Sequence, residues 1–190
     1  SFAALAQPGG GADAEDPRAD PRDLLPLVKI GLAAAIDSAE KAAPGRAVEA
    51  ELIGLGAGAQ RRAVYDIDVL ADDGAIFDVR VSALTGAVES SAPDLERDAA
   101  EEAAAFRRIL RHSRFTLAEL LIEAGRIVHG TPVSAEYDAE DGPECDIVVA
   151  VGAYLVEVGF DAGSGRLIEI ELVPDWGHAD DDDDDDDDDD

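Results

Sequence analysis

The sequence predicts an α+β fold: two similar units, each an amphipathic helix packed on a three- to four-stranded antiparallel sheet, joined by a connecting helix. Three observations predict it. Apolar residues recur at helical spacing from Leu24 and again after Thr116. Each helical stretch is followed by short segments in which apolar and charged residues alternate. The order of these segments in residues 45–90 then recurs in residues 130–173.

Residues 7–22, QPGGGADAEDPRADPR, combine Pro, Gly and charge with no apolar period and predict a disordered lead-in. From Leu24 onward Leu27, Ile30, Ala34 and Ala35 share a helical face, until Pro44-Gly45 stops the helix. Val48, Ala50 and Leu52 then alternate with Glu49 and Glu51. Tyr65, Ile67 and Val69 alternate with Asp66 and Asp68. Asp73-Gly74 predicts a turn, after which Phe77, Val79 and Val81 alternate with Asp78, Arg80 and Ser82. Leu84-Thr85-Gly86 turns into a short last strand, Ala87 to Glu89. Residues 94–114, acidic first and basic last, predict a connecting helix whose charges follow the helix dipole.

In the second unit TLAE, residues 116–119, is a capping box, with Phe115 and Leu120 placed to staple the helix start. The following segments match the first unit: GTPVSAE (130–136) with GRAVEAE (45–51), CDIVVA (145–150) with YDIDVL (65–70), and FDAGSGRL (160–167) with VSALTGAV (81–88). The expected boundaries are a lead-in over 1–22, a first module over 23–91, the connecting helix over 92–114, a second module over 115–174 and a tail over 175–190.

The charge bounds the function. The 190 residues hold 44 acids against 15 bases, a formal charge of −29. Eleven aspartates end the chain, and without them 33 acids still face 15 bases, leaving −18. Such a field disfavours nucleic acid and anionic membranes and favours cations and basic proteins. No apolar run is long enough to span a membrane. SFAALA reads as the end of a secretory signal, with Ala4-Leu5-Ala6 as the cleavage motif, or else as a flexible Ala-rich terminus. The first reading implies a periplasmic or secreted protein cleaved after Ala6. The single Cys145 cannot form an internal disulfide.

An amphipathic helix, Pro-Gly, V-x-A-E, a Tyr-initiated strand, a D-G turn and a [VF]-[DS]-A-x-[TS]-G-x-[VL] turn together resemble the PepSY domain, here in tandem over about 24–90 and 115–173. Two positions depart from its pattern. Ser82 stands where the family usually has Asp, which Asp161 keeps, and Cys145 replaces the usual Tyr. The resemblance implies a secreted, non-catalytic module. PepSY domains occur in propeptides of thermolysin-like metalloproteases, in membrane regulators and in small secreted proteins, and some tandem proteins of the methylotroph periplasm bind lanthanides. Metal cations, a peptidase and other periplasmic proteins are the partners this implies.

Catalytic chemistry finds no support in the sequence. It contains no G-x-S-x-G, H-E-x-x-H, P-loop or G-x-G-x-x-G motif. Cys145 alternates with Ile147 and Val149 and reads as a buried thiol. His112 and His129 sit at helix C-termini, where their charge is favourable, and His178 is in the tail. No organic cofactor is expected.

The carboxylates are the candidate ligands. Alternation places Glu49, Glu51, Asp66, Asp68 and Asp78 on one outward face, and Glu136, Glu144, Asp146, Glu157, Glu169 and Glu171 likewise in the second unit, with Asp161 in its turn. Cross-strand neighbours lie about 5 Å apart. Like charges at that distance repel by about 0.8 kcal/mol in water and about 3 kcal/mol at an effective dielectric near 20. Ca²⁺ or a trivalent lanthanide, which take many oxygen ligands, would relieve the repulsion. The alternative is a polar face screened by salt. The aspartate tail reads either as a low-affinity cation collector or as a solubilising end.

Overall fold

The structure, a computed structural model, describes residues 19–95, 99–138 and 143–173. Within them, alternation and turn chemistry produce eight strands: β1 (Gly45–Leu55), β2 (Arg62–Ala71), β3 (Ile76–Ser82), β4 (Val88–Pro93), β5 (Thr131–Asp138), β6 (Glu144–Val151), β7 (Tyr154–Asp161) and β8 (Arg166–Val173). All pairings are antiparallel, and the strands form one sheet in the order β4-β3-β2-β1-β5-β6-β7-β8. The two expected sheets are therefore halves of one, joined where β1 meets β5 at Glu49–Glu136, Ala50–Ala135 and Glu51–Ser134.

Among the described residues four α-helices accompany it: α1 (Pro21–Leu24), α2 (Leu32–Ala42), α3 (Ala99–Leu110) and α4 (Leu117–Val128). Helix α2 packs on β1, β2 and β3, α4 on β5, β6 and β7, and the two touch each other. Leu32, Ala35, Ile36 and Ala39 of α2 and Leu117, Leu120, Leu121 and Ala124 of α4 are buried with the sheet's apolar face in one continuous core. The capping box of α4 forms as its sequence demands. Thr116 Oγ1 accepts from Glu119 N at 3.2 Å, and Thr116 N donates back to Glu119 Oε2 at 2.8 Å.

Three expectations need correction. The helix expected from Leu24 is divided: α1 ends, a 3-10 turn covers Leu25–Leu27, and α2 begins only after Gly31. Pro26 has no N–H for a helix to use, and Lys29 and Ile30 both donate instead to Ala83 O, at 2.9 and 3.0 Å. The lead-in is shorter than expected, because Asp20 caps α1 and Arg22 Nη1 reaches Ala153 O in the other half. The last strand of the first half runs over Val88–Pro93, longer than Ala87–Glu89. The connecting helix α3 also packs on the sheet. Its Ala103, Phe106 and Ile109 join the common core, and Arg46 donates to Leu110 O at 3.4 Å. The signal-like start, Trp176, His178 and the aspartate tail lie outside the described residues.

The halves agree in finer detail than element order. A bulge sits at Val48 in β1 and at the matching Val133 in β5, and another at Glu89 in β4 and the matching Ile168 in β8. Gly86 and Gly165, both at positive φ, close matching turns, each donating 2.8 Å to the carbonyl four residues back. The residue before each N-cap rests on that glycine, Ile30 on Gly86 and Phe115 on Gly165. Phe115, expected as a staple on Leu120, thus packs on the turn.

Both departures from the resemblance are compensated. Asp161 Oδ1 accepts from Ser164 N at 2.7 Å, and in the first half Ser82 Oγ accepts from Thr85 N at 3.3 Å, so either residue fastens the turn. Tyr65 lies opposite Leu52 and donates to Ile30 O at 2.7 Å. In the second half the large and small residues exchange strands: Tyr137 lies opposite Cys145 and donates to Phe115 O at 3.1 Å. Each helix start is thereby tied to the sheet by a tyrosine hydroxyl.

Candidate functional site

With the helices on one face, the other carries the acids, and register decides which of them are neighbours. Asp78 pairs with Asp68, Asp68 with Glu49, Glu49 with Glu136 and Glu136 with Asp146. Five carboxylates therefore stand side by side across β3, β2, β1, β5 and β6, about 4.8 Å apart from strand to strand. The row continues through Gly159 to Glu169 and contains no Lys or Arg. Gly159 leaves space that its neighbours use: a Cβ there would meet Asp146 Oδ1 and Glu169 Cγ, each at 3.2 Å.

The adjacent row is better compensated. Glu51 pairs with Asp66 and Asp66 with Arg80, whose guanidinium lies 3.2 Å from Asp66 Oδ2. Further along that row Glu157 pairs with Glu171. A shallow depression of about 210 Å³ opens among Glu49, Glu51, Ile53, Asp66, Asp68 and Asp78. A second, of about 170 Å³, lies across β1 and is lined by Glu49, Glu51, Ser134 and Glu136.

Crowding and partial burial act in one direction on the row. Burial, reinforced by Glu136, Glu51 and other acids, pushes Glu49 up to about 7. Burial, Glu49 and a hydrogen bond to Asp78 push Asp68 up to about 8. Asp146 rises to about 6 through burial, Glu157 and Glu144. Glu136 and Glu157 are raised by burial first and by neighbouring acids second. For Asp68 and Glu49, raised to neutrality or above, the neutral form is favoured where a counter-charge would otherwise serve.

The twelve expected ligands divide three ways. Glu49, Asp68, Asp78, Glu136 and Asp146 form the row, with Glu169 beyond Gly159 at its end, while Glu51, Asp66, Glu157 and Glu171 flank it. Glu144 pairs with Asp138 on one side and Asp161 on the other, at the end of the sheet. The Asp161 carboxylate is committed to its turn, and the Ser164 amide and hydroxyl hold it below the usual carboxylate range. Among the described residues no three His, Cys, Asp or Glu side chains gather so as to hold a metal ion. The carboxylates are arrayed, not converged.

Two contributors escaped the sequence reading. Glu102 of α3 adds repulsion to Glu49, and Asp138 adds it to Glu136. Only the path of α3 and the β5–β6 register could have revealed them. Cys145 is fully buried, and burial raises its thiol well above the ordinary value, which disfavours the thiolate.

The first half of this architecture has a counterpart among known families. The model described as "Peptidase propeptide and YPEB domain", PepSY, matches residues 29–92. Residues 29–92 are thus similar to a PepSY domain. The match takes in α2 and β1–β4, from Lys29 at the Ala83 carbonyl to Ala92 on the edge strand. No curated protein matches the chain. A crystal structure described as a "putative lipoprotein" from Clostridium difficile 630 is similar at 15% identity and a TM-score of 0.46, covering 77% of this chain and 95% of that one. Among the described residues no helix is long and apolar enough to cross a membrane.

Proposed function

We propose that this protein is an exported, non-catalytic module whose open sheet face accepts multivalent cations, Ca²⁺ or a trivalent lanthanide. One observation carries the reading: five carboxylates on five adjacent strands share a register that contains no basic residue. Hard cations with oxygen ligands suit such a face. They would compete with the protons the row retains, so binding at neutral pH releases protons. Because the side chains are arrayed along strands, an ion would keep part of its water shell or draw neighbours together. In this reading the second half, with the same register and bulges as the first, is a second PepSY-like module, and the aspartate tail concentrates ions nearby.

Calorimetric titration of the full chain with CaCl₂ and with a trivalent lanthanide chloride, in two buffers of different ionisation enthalpy, tests this. Saturable binding with proton release at pH 7 is expected, reduced in Glu49→Gln/Asp68→Asn and retained without residues 180–190. Binding lost entirely with those residues, or untouched by the double substitution, sinks the reading.

The family's description as a peptidase propeptide favours a second reading, in which the module covers or escorts a peptidase. Progress curves of metallopeptidase activity with the full chain added would show slow, saturable inhibition if it holds.

A further inference from the structure

The two edges of the sheet occupy matching places in the two halves, yet their sequences differ in the way that decides whether an edge can accept another strand. On the helix side, β4 presents Val88, Ser91 and Pro93, paired with Val81, Val79 and Phe77. The matching positions of β8 are Leu167, Ile170 and Leu172, paired with Phe160, Val158 and Val156. Edge strands are commonly blunted by proline, polar residues or bulges that block further pairing. Proline has no N–H to offer, so β4 is blunted at Pro93. β8 contains no proline, and its bulge at Ile168 lies near its start, leaving Glu169–Val173 regular.

The apolar side of β8 is also open. Leu167, Ile170 and Leu172 are 39%, 47% and 65% exposed, and Tyr154 at the start of β7 on the same side is 64% exposed. α4 packs chiefly on β5, β6 and β7. On the opposite side the same strand carries Glu169 and Glu171, with Glu157 beside Glu171 on β7. Among the described residues, this strand has a free outer edge, an apolar seat on one side and negative charge on the other.

We propose that β8 is a docking edge for an extended segment of a partner protein in which apolar and basic residues alternate. Such a segment would add a ninth strand, its apolar residues extending the seat of Ile170 and Leu172 and its lysines or arginines facing Glu169 and Glu171. A second copy of this chain fits the edge poorly, because β8 against β8 sets glutamates beside glutamates. The inference is independent of cation binding by the central row.

The test uses the isotope-labelled full chain and a blocked octapeptide alternating valine and lysine. Saturable amide shifts centred on β7 and β8, with slowed hydrogen exchange along β8, are expected. A serine–lysine peptide of equal charge should bind about tenfold more weakly, since it lacks the apolar side. Ile170→Lys/Leu172→Lys should weaken valine–lysine binding by about tenfold or more while leaving the circular dichroism spectrum intact. Equal binding of both peptides, or shifts confined to the carboxylate row, overturns the proposal. So does a β8 edge already protected without peptide, which in a dimer identifies a second copy and in a monomer the chain's own residues beyond Val173.

Discussion

Asp68 and Glu49 show how a single side chain can be destabilising by design of its surroundings. Each is folded into a place where burial and neighbouring acids favour its neutral form. Replacing it with the neutral isostere should remove repulsion without removing volume. Asp68→Asn and Glu49→Gln are expected to raise the melting temperature at pH 8 and to have little effect at pH 4, a difference that scanning calorimetry reads directly. The tyrosine ties work the other way. Tyr137→Phe removes the donor to Phe115 O and should cost about 1 kcal/mol, measured by urea denaturation, because the hydroxyl hydrogen bond is lost while the ring still packs.

The elements owe their limits to a few local contacts. Thr116→Ala deletes the cap of α4 and is expected to cost about 1 kcal/mol in the same assay. Gly165→Ala should be costly, because it adds both backbone strain and a clash. The residue sits at φ 68°, and an added Cβ would lie 2.5 Å from the Phe115 ring. The matching Gly86 has more room, 3.6 Å to Ile30, so Gly86→Ala should be the milder of the two. A comparison of both variants separates backbone strain, common to each, from the clash at Phe115 alone.

At the scale of the whole molecule the carboxylate row sets the response to pH. Carboxyls whose affinity for protons is higher folded than unfolded make the folded state bind more protons, so stability falls as pH rises. The contribution is fully present below the unfolded values near 4 and is lost as pH passes about 6 for Asp146, 7 for Glu49 and 8 for Asp68. The expected result is a melting temperature that declines from pH 5 to pH 8.5. Each extra proton held by the folded state contributes a slope of about 1.4 kcal/mol per pH unit. A melting temperature that rises over this window would contradict the raised carboxyl values. Glu136→Lys, at the join between halves, places a cation between Glu49 and Asp146 and should flatten that decline.

The residue patterns by themselves determined much of this molecule. Alternation at Val48–Leu52, Tyr65–Val69 and Cys145–Val149 named the strands and their buried sides, since a period of two admits one apolar face. TLAE named the start of α4, and the recurrence of segments anticipated that a helix followed by four strands appears in each half of the sheet. What the sequence could not carry is anything set by contacts between distant residues. Pro26 stands in the sequence, but the capture of the Lys29 and Ile30 amides by the Ala83 carbonyl, which holds the break, does not. The union of two expected sheets rests on three residue pairs between β1 and β5, and no local pattern encodes them. The acidic face was legible as a set of residues on the outward side. Its order, with Glu49 between Asp68 and Glu136, was not, because cross-strand neighbours are chosen by register and by the bulges at Val48 and Val133. Sequence fixes which side a carboxylate faces; only the assembled sheet decides which other charges it must stand beside.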